Sequence, residues 1–169
     1  DYIFVYDEYY LNKIKELGVN NVSYLPLATD EDAYQKILLS SAEKEQYSCD
    51  ISFVGMPFDN RIEMMNRLSA FDLKVFGDGW DRMLHRLTRA CYYGKAAGEK
   101  VRKVYAASKI VLNLHHPQSV YGANTRTFDI LSCGSFEMVD YKPGLEALFE
   151  IGKEIICFRS LDELQALVK

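Results

Sequence analysis

The segment YGANTRTFD, which ends at Asp129, combines residue types that suit a nucleotide diphosphate. A helix that begins near Gly122 to Thr125, Asn124 included, would offer free backbone amides and the positive end of its dipole to a phosphate. Arg126 would add a bidentate contact to the same group. Asp129 lies one turn further on the same face and would accept hydrogen bonds from two ribose hydroxyls. Spacing alone also allows a surface ion pair between Arg126 and Asp129, which would contribute little.

Three loops that follow predicted strands add further candidates. They are Gly55-Met56-Pro57, Gly77-Asp78-Gly79-Trp80 and His115-His116-Pro117. Glycine lets a backbone approach a ligand closely, so Gly55 and Gly77 are candidate donor contacts, although either could simply end a strand. His115 and His116 are candidates for contacts to phosphate or sugar. They do not predict a metal site, because adjacent side chains on an extended chain point to opposite sides.

Arg61 and Trp80 are given structural interpretations. Arg61 lies at the start of a predicted helix and is expected to be an ordinary solvated residue rather than a phosphate ligand. Trp80 could stack on a base, but a lone tryptophan is more often part of a core.

Composition and missing motifs exclude several function classes. The net charge of -4 and pI near 5.4 disfavour a nucleic-acid partner. No apolar run approaches the roughly 20 residues of a membrane span. Neither the dinucleotide fingerprint G-x-G-x-x-G nor the P-loop is present, so a nucleotide site must depend on another motif. The four cysteines form no Cys-x-x-Cys pair, which favours a reduced, cytoplasmic setting.

The elements that would position these residues alternate along the chain. Strands are predicted over 2–6, 22–25, 51–54, 73–76, 110–114, 136–139 and 155–158. Helices are predicted over 8–17, 60–70, 99–108, 126–133, 145–149 and 161–168, with residues 78–98 irregular or short-helical. This alternation predicts an α/β fold with a Rossmann-like, doubly wound parallel sheet, in which ligands bind beyond the carboxyl ends of the strands.

Changes in composition divide the chain into three parts. Residues 1–30 are predicted to be the strand-helix-strand end of a preceding domain, residues 31–49 a polar linker, and residues 50–169 the ligand-binding domain. Because the chain opens on a strand-like run without a start Met or a leader, it is expected to be a piece of a longer protein.

Several strings resemble a known family. The string FDILSCG, from Phe128, is similar to the L-E-A-x-A-C-G signature of group 1 retaining glycosyltransferases. An ordered set covering almost the whole chain more closely resembles the CgeB-type spore-maturation family, whose members carry such a domain. The set consists of YLPLA from Tyr24, SFVG from Ser52, SKIVLN from Ser108, N-x-R-x-FD from Asn124 and GLEALFEIGKE from Gly144.

The resemblance implies the C-terminal, donor-binding half of a GT-B hexosyltransferase that needs neither metal nor cofactor. Asp129 stands where the family has the glutamate that holds the ribose, one methylene shorter. Tyr121 stands where group 1 enzymes have a glutamate that contacts the donor sugar, so that contact is in doubt. The implied partners are a nucleotide sugar, an unknown acceptor and an N-terminal GT-B domain of the same protein. This fragment alone is expected not to turn over. Two alternatives stay open, a non-catalytic GT-B-like binding module and, more distantly, a nucleotide-sugar epimerase.

Overall fold

The N-terminal part of the chain forms a small parallel unit. The computed structural model describes residues 1–87 and 90–169. Strand β1 (Ile3–Val5) leads through helix α1 (Glu8–Glu16) to strand β2 (Val22–Tyr24), which pairs with β1 in parallel. Asp7 caps the N-terminus of helix α1, because its carboxylate accepts a hydrogen bond from the backbone amide of Tyr9 at 3.0 Å. The assignment of residues 1–30 to a preceding domain stays a prediction.

A five-stranded parallel sheet forms the main unit. Helix α2 (Ser41–Tyr47) leads into β3 (Cys49–Val54), and the chain continues through α3 (Asp59–Arg67), β4 (Leu73–Phe76), α4 (Glu99–Ala107), β5 (Ser108–Asn113), α5 (Thr125–Ser132), β6 (Glu137–Asp140), β7 (Ile156–Phe158) and α6 (Leu161–Leu167). The strand order is β4-β3-β5-β6-β7, and every pair is parallel. The predicted α/β fold with a doubly wound parallel sheet is confirmed.

Apolar residues cover both faces of this sheet. Alternate residues of β3 face opposite sides, so that Phe53 joins the core under α3 and α6 while Val54 joins the core under α4 and α5. Tyr34 and Tyr47, from the segment before β3, pack onto the second core. Burial on both faces explains why apolar residues occupy successive positions in these strands, as at Phe53 and Val54.

The winding direction changes between β3 and β5. Strands β4 and β5 lie on opposite sides of β3, so the connections leaving β3 and β4 run in opposite directions. Such a change opens a crevice at the carboxyl edge of the sheet. The backbone is packed tightly at one side of this edge. Gly77 has a φ of +139°, and a Cβ there would lie 2.2 Å from the carbonyl oxygen of Gly55.

One helix was not predicted and one predicted helix was wrong, while the role of residues 31–49 as a linker stays a prediction. The expected linker over residues 31–49 contains α2, whose first turn is closed by reciprocal hydrogen bonds between Ser40 and Glu43. The helix expected over 145–149 is a single 3-10 turn, Pro143–Leu145, followed by further turns. The amide of Gly144, in this turn, donates to the Tyr121 carbonyl at 2.9 Å. The irregular stretch over 78–98 contains a 3-10 helix, Trp80–Arg86; positions 88 and 89 lie outside the described residues.

All other predicted elements are present within three residues of their expected bounds. In the part of the chain that the structure describes, no helix combines the length and apolarity needed to cross a membrane. Among the described residues, Cys49, Cys133 and Cys157 have free thiols, and the cytoplasmic setting stays a prediction.

Candidate functional site

A cavity opens at the carboxyl edge of the sheet, beside the change in winding direction. Its volume is ≈ 580 Å³, and we call it the α5 cavity because the first turn of α5 forms one wall. The other walls come from the end of β3, from residues 96–98 with α4, and from Leu27 and Tyr34 before α2. Five predicted site residues line it, namely His116, Asn124, Thr125, Arg126 and Asp129.

The start of α5 is held by hydrogen bonds from below. The Asn124 side chain accepts from the Thr127 amide at 3.2 Å and so caps the helix. The backbone N–H of Asn124 donates to Nε2 of His115 at 3.2 Å. The proton of the His115 ring is therefore on Nδ1, which donates to the Asp140 carboxylate at 2.7 Å. His115 is buried behind the helix and does not line the cavity. It therefore orients the helix start rather than contacting a ligand.

Arg126 turns its guanidinium over the end of β3. One of its nitrogens donates to the Asn113 side-chain oxygen at 3.3 Å, and its carbon lies 5.9 Å from the centre of the Phe53 ring. A Cβ on Gly55 would lie 3.3 Å from another nitrogen of Arg126. The absence of a side chain at Gly55 thus leaves room for this guanidinium at the carboxyl end of β3.

Arg61 is a second guanidinium at the same cavity, and the expectation that it is solvated was wrong. Its residue is only 5% exposed, and its side chain donates to the carbonyls of Met56 at 3.0 Å and Leu114 at 2.7 Å. Burial, and secondarily the charge of Arg126, lower the pKa of Arg61 to about 10. The position at the start of α3 suggests a solvated residue, but the helix turns this side chain inward against the rings of Phe53 and Phe58.

Carboxylates offset the charges of the two arginines only at a distance, since Asp140 acts on Arg61 and Asp129 on Arg126 without an assigned hydrogen bond among the described residues. Their described hydrogen-bond partners are backbone carbonyls and one amide oxygen, and none is a carboxylate. A guanidinium that is held by neutral acceptors can still form charged hydrogen bonds with a ligand. The cavity therefore favours an anion, and a diphosphate matches two guanidinium groups beside a helix start.

Asp129 lies on the same wall, one turn along α5. Its Oδ1 accepts a hydrogen bond from the Thr29 hydroxyl at 2.7 Å. Burial raises the pKa of Asp129, and the Thr29 hydrogen bond and the charge of Arg126 oppose that rise. Among the described residues, Asp129 and Arg126 bond to different partners rather than to each other, contrary to the surface ion pair left open by the sequence.

A buried polar network under the cavity was not predicted. The Asn113 side-chain amide, at the end of β5, lies within 3.0 Å of acceptors on Asn124, Thr127 and Glu137. Glu137 is fully buried in β6, and burial raises its pKa to about 7. The signal available in the sequence was a polar residue inside each of two apolar strands, at Asn113 and Glu137.

Besides His115, four predicted site residues lie outside the lining of the cavity and have structural contacts instead. Gly77 packs its backbone against Gly55, whose carbonyl accepts the Trp80 indole N–H at 2.7 Å. This contact places Trp80 in the core, as expected. Gly122 lies against the Tyr6 carbonyl, where a Cβ would be 2.9 Å away, and the Tyr121 ring covers Gly144.

The loop before α5 is also bound by the N-terminal unit. The Asp7 carboxylate, which is 1% exposed, accepts hydrogen bonds from the amides of Val120 at 2.9 Å and Tyr121 at 3.0 Å. The Tyr10 hydroxyl donates to the Gln118 carbonyl at 3.1 Å. The loop is thus held at Val120 and Tyr121 by Asp7 and at Asn124 by His115.

A second cavity of ≈ 490 Å³ lies at the same edge, at the ends of β6 and β7. Its lining contains two cations, Lys142 and Arg159, but also two carboxylates, Glu63 and Asp140, and Lys142 lies 3.7 Å from Asp140. It therefore attracts an anion less than the α5 cavity does. Among the described residues, no three His, Cys, Asp or Glu side chains converge on a common metal position.

The parallel sheet, its change of winding and the anion-attracting crevice place the chain among doubly wound α/β proteins that bind ligands at the carboxyl edge. A sequence profile of the family described as glycosyl transferase-like matches residues 60–169. The chain belongs to this glycosyltransferase-like family, and its matched part contains α5 and most of the sheet.

Individual proteins agree with the family assignment. Spore protein CgeB of Bacillus subtilis (strain 168) is 25% identical over 144 residues, which cover 75% of this chain and 44% of CgeB. Anabaena Alr3699/HepE, solved in complex with UDP and glucose, superposes with a TM-score of 0.69 at 12% identity over 99% of this chain and 52% of HepE. Sucrose-phosphate synthase from Thermosynechococcus elongatus gives a TM-score of 0.67 at 13% identity, covering 96% of this chain and 47% of the synthase.

These structural similarities establish the fold. The chain spans about half the length of the proteins that it matches.

Proposed function

We propose that this chain binds a nucleoside-diphosphate sugar in the α5 cavity and forms the donor-binding half of a GT-B glycosyltransferase. The observation that carries the proposal is the pair of guanidinium groups, Arg61 and Arg126, which face one cavity without a carboxylate partner among the described residues. A diphosphate supplies the missing negative charge.

The order of residues along the cavity suggests how the nucleotide lies. The diphosphate would occupy the first turn of α5 beside Arg126, where backbone amides point outward. The ribose would follow at Asp129, one turn away on the same wall. The base would then lie against residues 96–98 and Tyr34, where backbone groups can read its polar edge.

The sugar would extend from the diphosphate in the opposite direction, towards His116 and Ser119. His116 Nδ1 accepts from the Gln118 amide at 3.2 Å, so its Nε2 carries a proton and can donate to a phosphate or a sugar hydroxyl. This donor would partly replace the sugar contact that Tyr121 does not supply.

The proposed reaction is transfer of a hexose to an unidentified acceptor, without an obligatory metal. The two arginines and the α5 amides would stabilise the negative charge of the leaving diphosphate, which is the role a cation has in other transferases. The acceptor would come from an N-terminal GT-B domain, so we expect this chain to bind donor without turnover.

The test is calorimetric titration of the chain with UDP, GDP, ADP and CDP. UDP is the first choice because HepE was solved with UDP and with UDP-glucose. We expect one diphosphate to bind selectively, and Arg126→Gln to weaken it about tenfold or more, since a hydrogen bond to a charged group contributes about 1.5–3 kcal/mol.

The matched control is Arg159→Gln, which removes the same type of side chain from the second cavity at the same sheet edge. This variant is expected to bind like the parent chain. Loss of binding in Arg159→Gln but not in Arg126→Gln would move the site to the second cavity. Absence of binding by the folded parent chain would reject the donor-binding proposal.

A non-catalytic binding module is the second candidate. It is favoured by Tyr121, whose ring covers Gly144 and is absent from the lining of the α5 cavity, so the usual carboxylate contact to the sugar is missing. The two functions differ in donor hydrolysis and transfer by the full-length protein. Release of free nucleotide from UDP-glucose, abolished by Arg126→Gln, would favour the enzyme, and tight binding without release would favour the module.

A further inference from the structure

The segment before α2 forms part of the α5 cavity. Leu27 and Tyr34 line it, although the sequence predicted only a linker from residue 31 onward. The Tyr34 side chain packs on the core between α4 and α5, and its backbone carbonyl lies 3.6 Å from the Cys133 thiol, which donates to it. These contacts fix residues 27–34, which we call the wall segment, against the C-terminal half of α5.

Thr29 of the wall segment contacts the residue proposed to hold the ribose. Its hydroxyl donates to Asp129 Oδ1 at 2.7 Å, and 100 positions separate the two residues in sequence. Thr29 lines a different depression on the outer side of α5, together with Phe128 and Leu131. Thr29 therefore approaches the carboxylate from the outer side, while Asp129 itself lines the α5 cavity.

We propose that Thr29 is a positioning residue, which holds the Asp129 carboxylate so that it recognises ribose hydroxyls and separates ribonucleotides from deoxyribonucleotides. This inference depends on the proposed function, because it concerns the nucleotide in the same cavity.

The physical reason is the freedom of an aspartate side chain. The last torsion of an aspartate is broad, so an unrestrained carboxylate samples many orientations. A hydrogen bond from Thr29 to Oδ1 restrains that torsion, and among the described residues Oδ2 has no assigned partner. The restrained carboxylate can then offer Oδ2 to a ribose hydroxyl without first losing rotational freedom.

Protonation supports the same role. Burial raises the pKa of Asp129, and the Thr29 hydroxyl opposes this rise by donating to the charged form. A protonated Asp129 would lose acceptor capacity. The wall segment therefore helps to keep both the charge and the direction of the carboxylate suitable for hydroxyl recognition.

The experiment compares a nucleoside diphosphate with its 2′-deoxy and 3′-deoxy analogues, using UDP or whichever diphosphate the titration above selects. Thr29→Val keeps the shape of the side chain but removes its hydroxyl. We expect it to weaken the ribonucleotide about fivefold, which is the effect of about one neutral hydrogen bond. The affinity for at least one deoxy analogue should fall less than about twofold, because that analogue already lacks the hydroxyl that would donate to Asp129.

Two variants make the comparison specific. Thr29→Ser retains the hydroxyl and should restore the discrimination of the parent chain. In an Asp129→Ala background, Thr29→Val should have no further effect, since Thr29 acts through that carboxylate. Thermal unfolding of each variant checks that the wall segment remains in place.

The outcomes separate this inference from the proposed function. Equal weakening of the ribonucleotide and both deoxy analogues by Thr29→Val would show a structural effect of the wall segment and overturn the positioning role. Unchanged affinity in Thr29→Val would also overturn it while leaving the donor site intact. If the parent chain binds no nucleotide, the proposed function itself fails.

Discussion

Replacing Glu137 by glutamine tests whether the buried Glu137 carboxyl, in the polar network under the α5 cavity, is protonated in the folded chain. Glu137 is fully buried in β6, and Oε1 accepts from the Asn113 amide at 2.9 Å. Its Oε2 has no hydrogen-bond partner among the described residues. Burial raises the pKa of Glu137 from 4.5 to about 7, and hydrogen bonds from Asn113 and Thr127 oppose that rise only partly. Glu137→Gln keeps the shape and removes the titration.

The sign of the pH effect follows from the raised pKa. The folded chain holds the proton more tightly than the unfolded chain, so protonation of Glu137 stabilises the fold fully below pH 4.5. This contribution is lost as the pH rises through about 7. The difference between the two pKa values corresponds to roughly 3 kcal/mol, most of which is lost between about pH 5 and about pH 8.

Urea unfolding of the parent chain and of Glu137→Gln across this pH range measures the effect. The free energy of unfolding of the parent, relative to that of the variant, should fall by roughly 2–3 kcal/mol between about pH 5 and about pH 8. Other titrating groups are common to both chains and cancel in this difference. A new unpaired amide in the variant would shift its stability equally at every pH. A difference that stays constant with pH would show that Glu137 does not hold its proton in the fold, and would refute the reasoning.

Two further substitutions test how the loops around the site are held. Asp7→Ala removes a helix cap and leaves two loop amides without their acceptor. The free energy of unfolding should therefore fall by about 2–4 kcal/mol in urea titrations. A loss below about 1 kcal/mol would contradict the hydrogen bonds described for Asp7. Gly77→Ala should cost more than about 3 kcal/mol in the same assay, because the new Cβ would lie 2.2 Å from the Gly55 carbonyl oxygen. Its control is Gly152→Ala, which also has a positive φ but meets no atom within 4 Å and should cost only about 1–2 kcal/mol. Equal losses in the two glycine variants would show that backbone conformation, and not the contact with Gly55, limits position 77.

The sheet was predictable because local signals along the main unit agree with one another. Apolar runs such as the one ending at Val54 stop at glycine, and periodic helices separate them, so that strand and helix assignments follow from the sequence itself. The short elements were less predictable. Helix α2 depends on a capping pair, Ser40 and Glu43, inside a stretch that is polar throughout. A polar stretch of that kind carries little periodic signal, so it resembles a linker.

The candidate site was predictable only where one helix carries it. Asn124, Thr125, Arg126 and Asp129 share the first turns of α5, and their spacing placed them on one wall in advance. Thr29 lay beyond such reasoning, because its contact with Asp129 joins positions 100 residues apart. Burial was equally hidden. A carboxylate in an apolar run, such as Glu137, gives no indication of whether the strand has one solvated face or none.

Arg61 shows most directly what a sequence omits. Counting charges gives a net charge of -4, which disfavours a nucleic-acid partner but does not show where single cations lie after folding. The relevant property is which cations have no hydrogen-bonded carboxylate after folding, and the fold decides this. Arg61 donates to two backbone carbonyls and Arg126 to an amide oxygen, so each is held in place by a neutral acceptor. Carboxylate partners would have held them equally well but would have cancelled their attraction for phosphate. Neutral acceptors fix the geometry of the two guanidinium groups without an ion pair, so both groups can still bind an anionic ligand. An acidic chain can therefore contain an anion site.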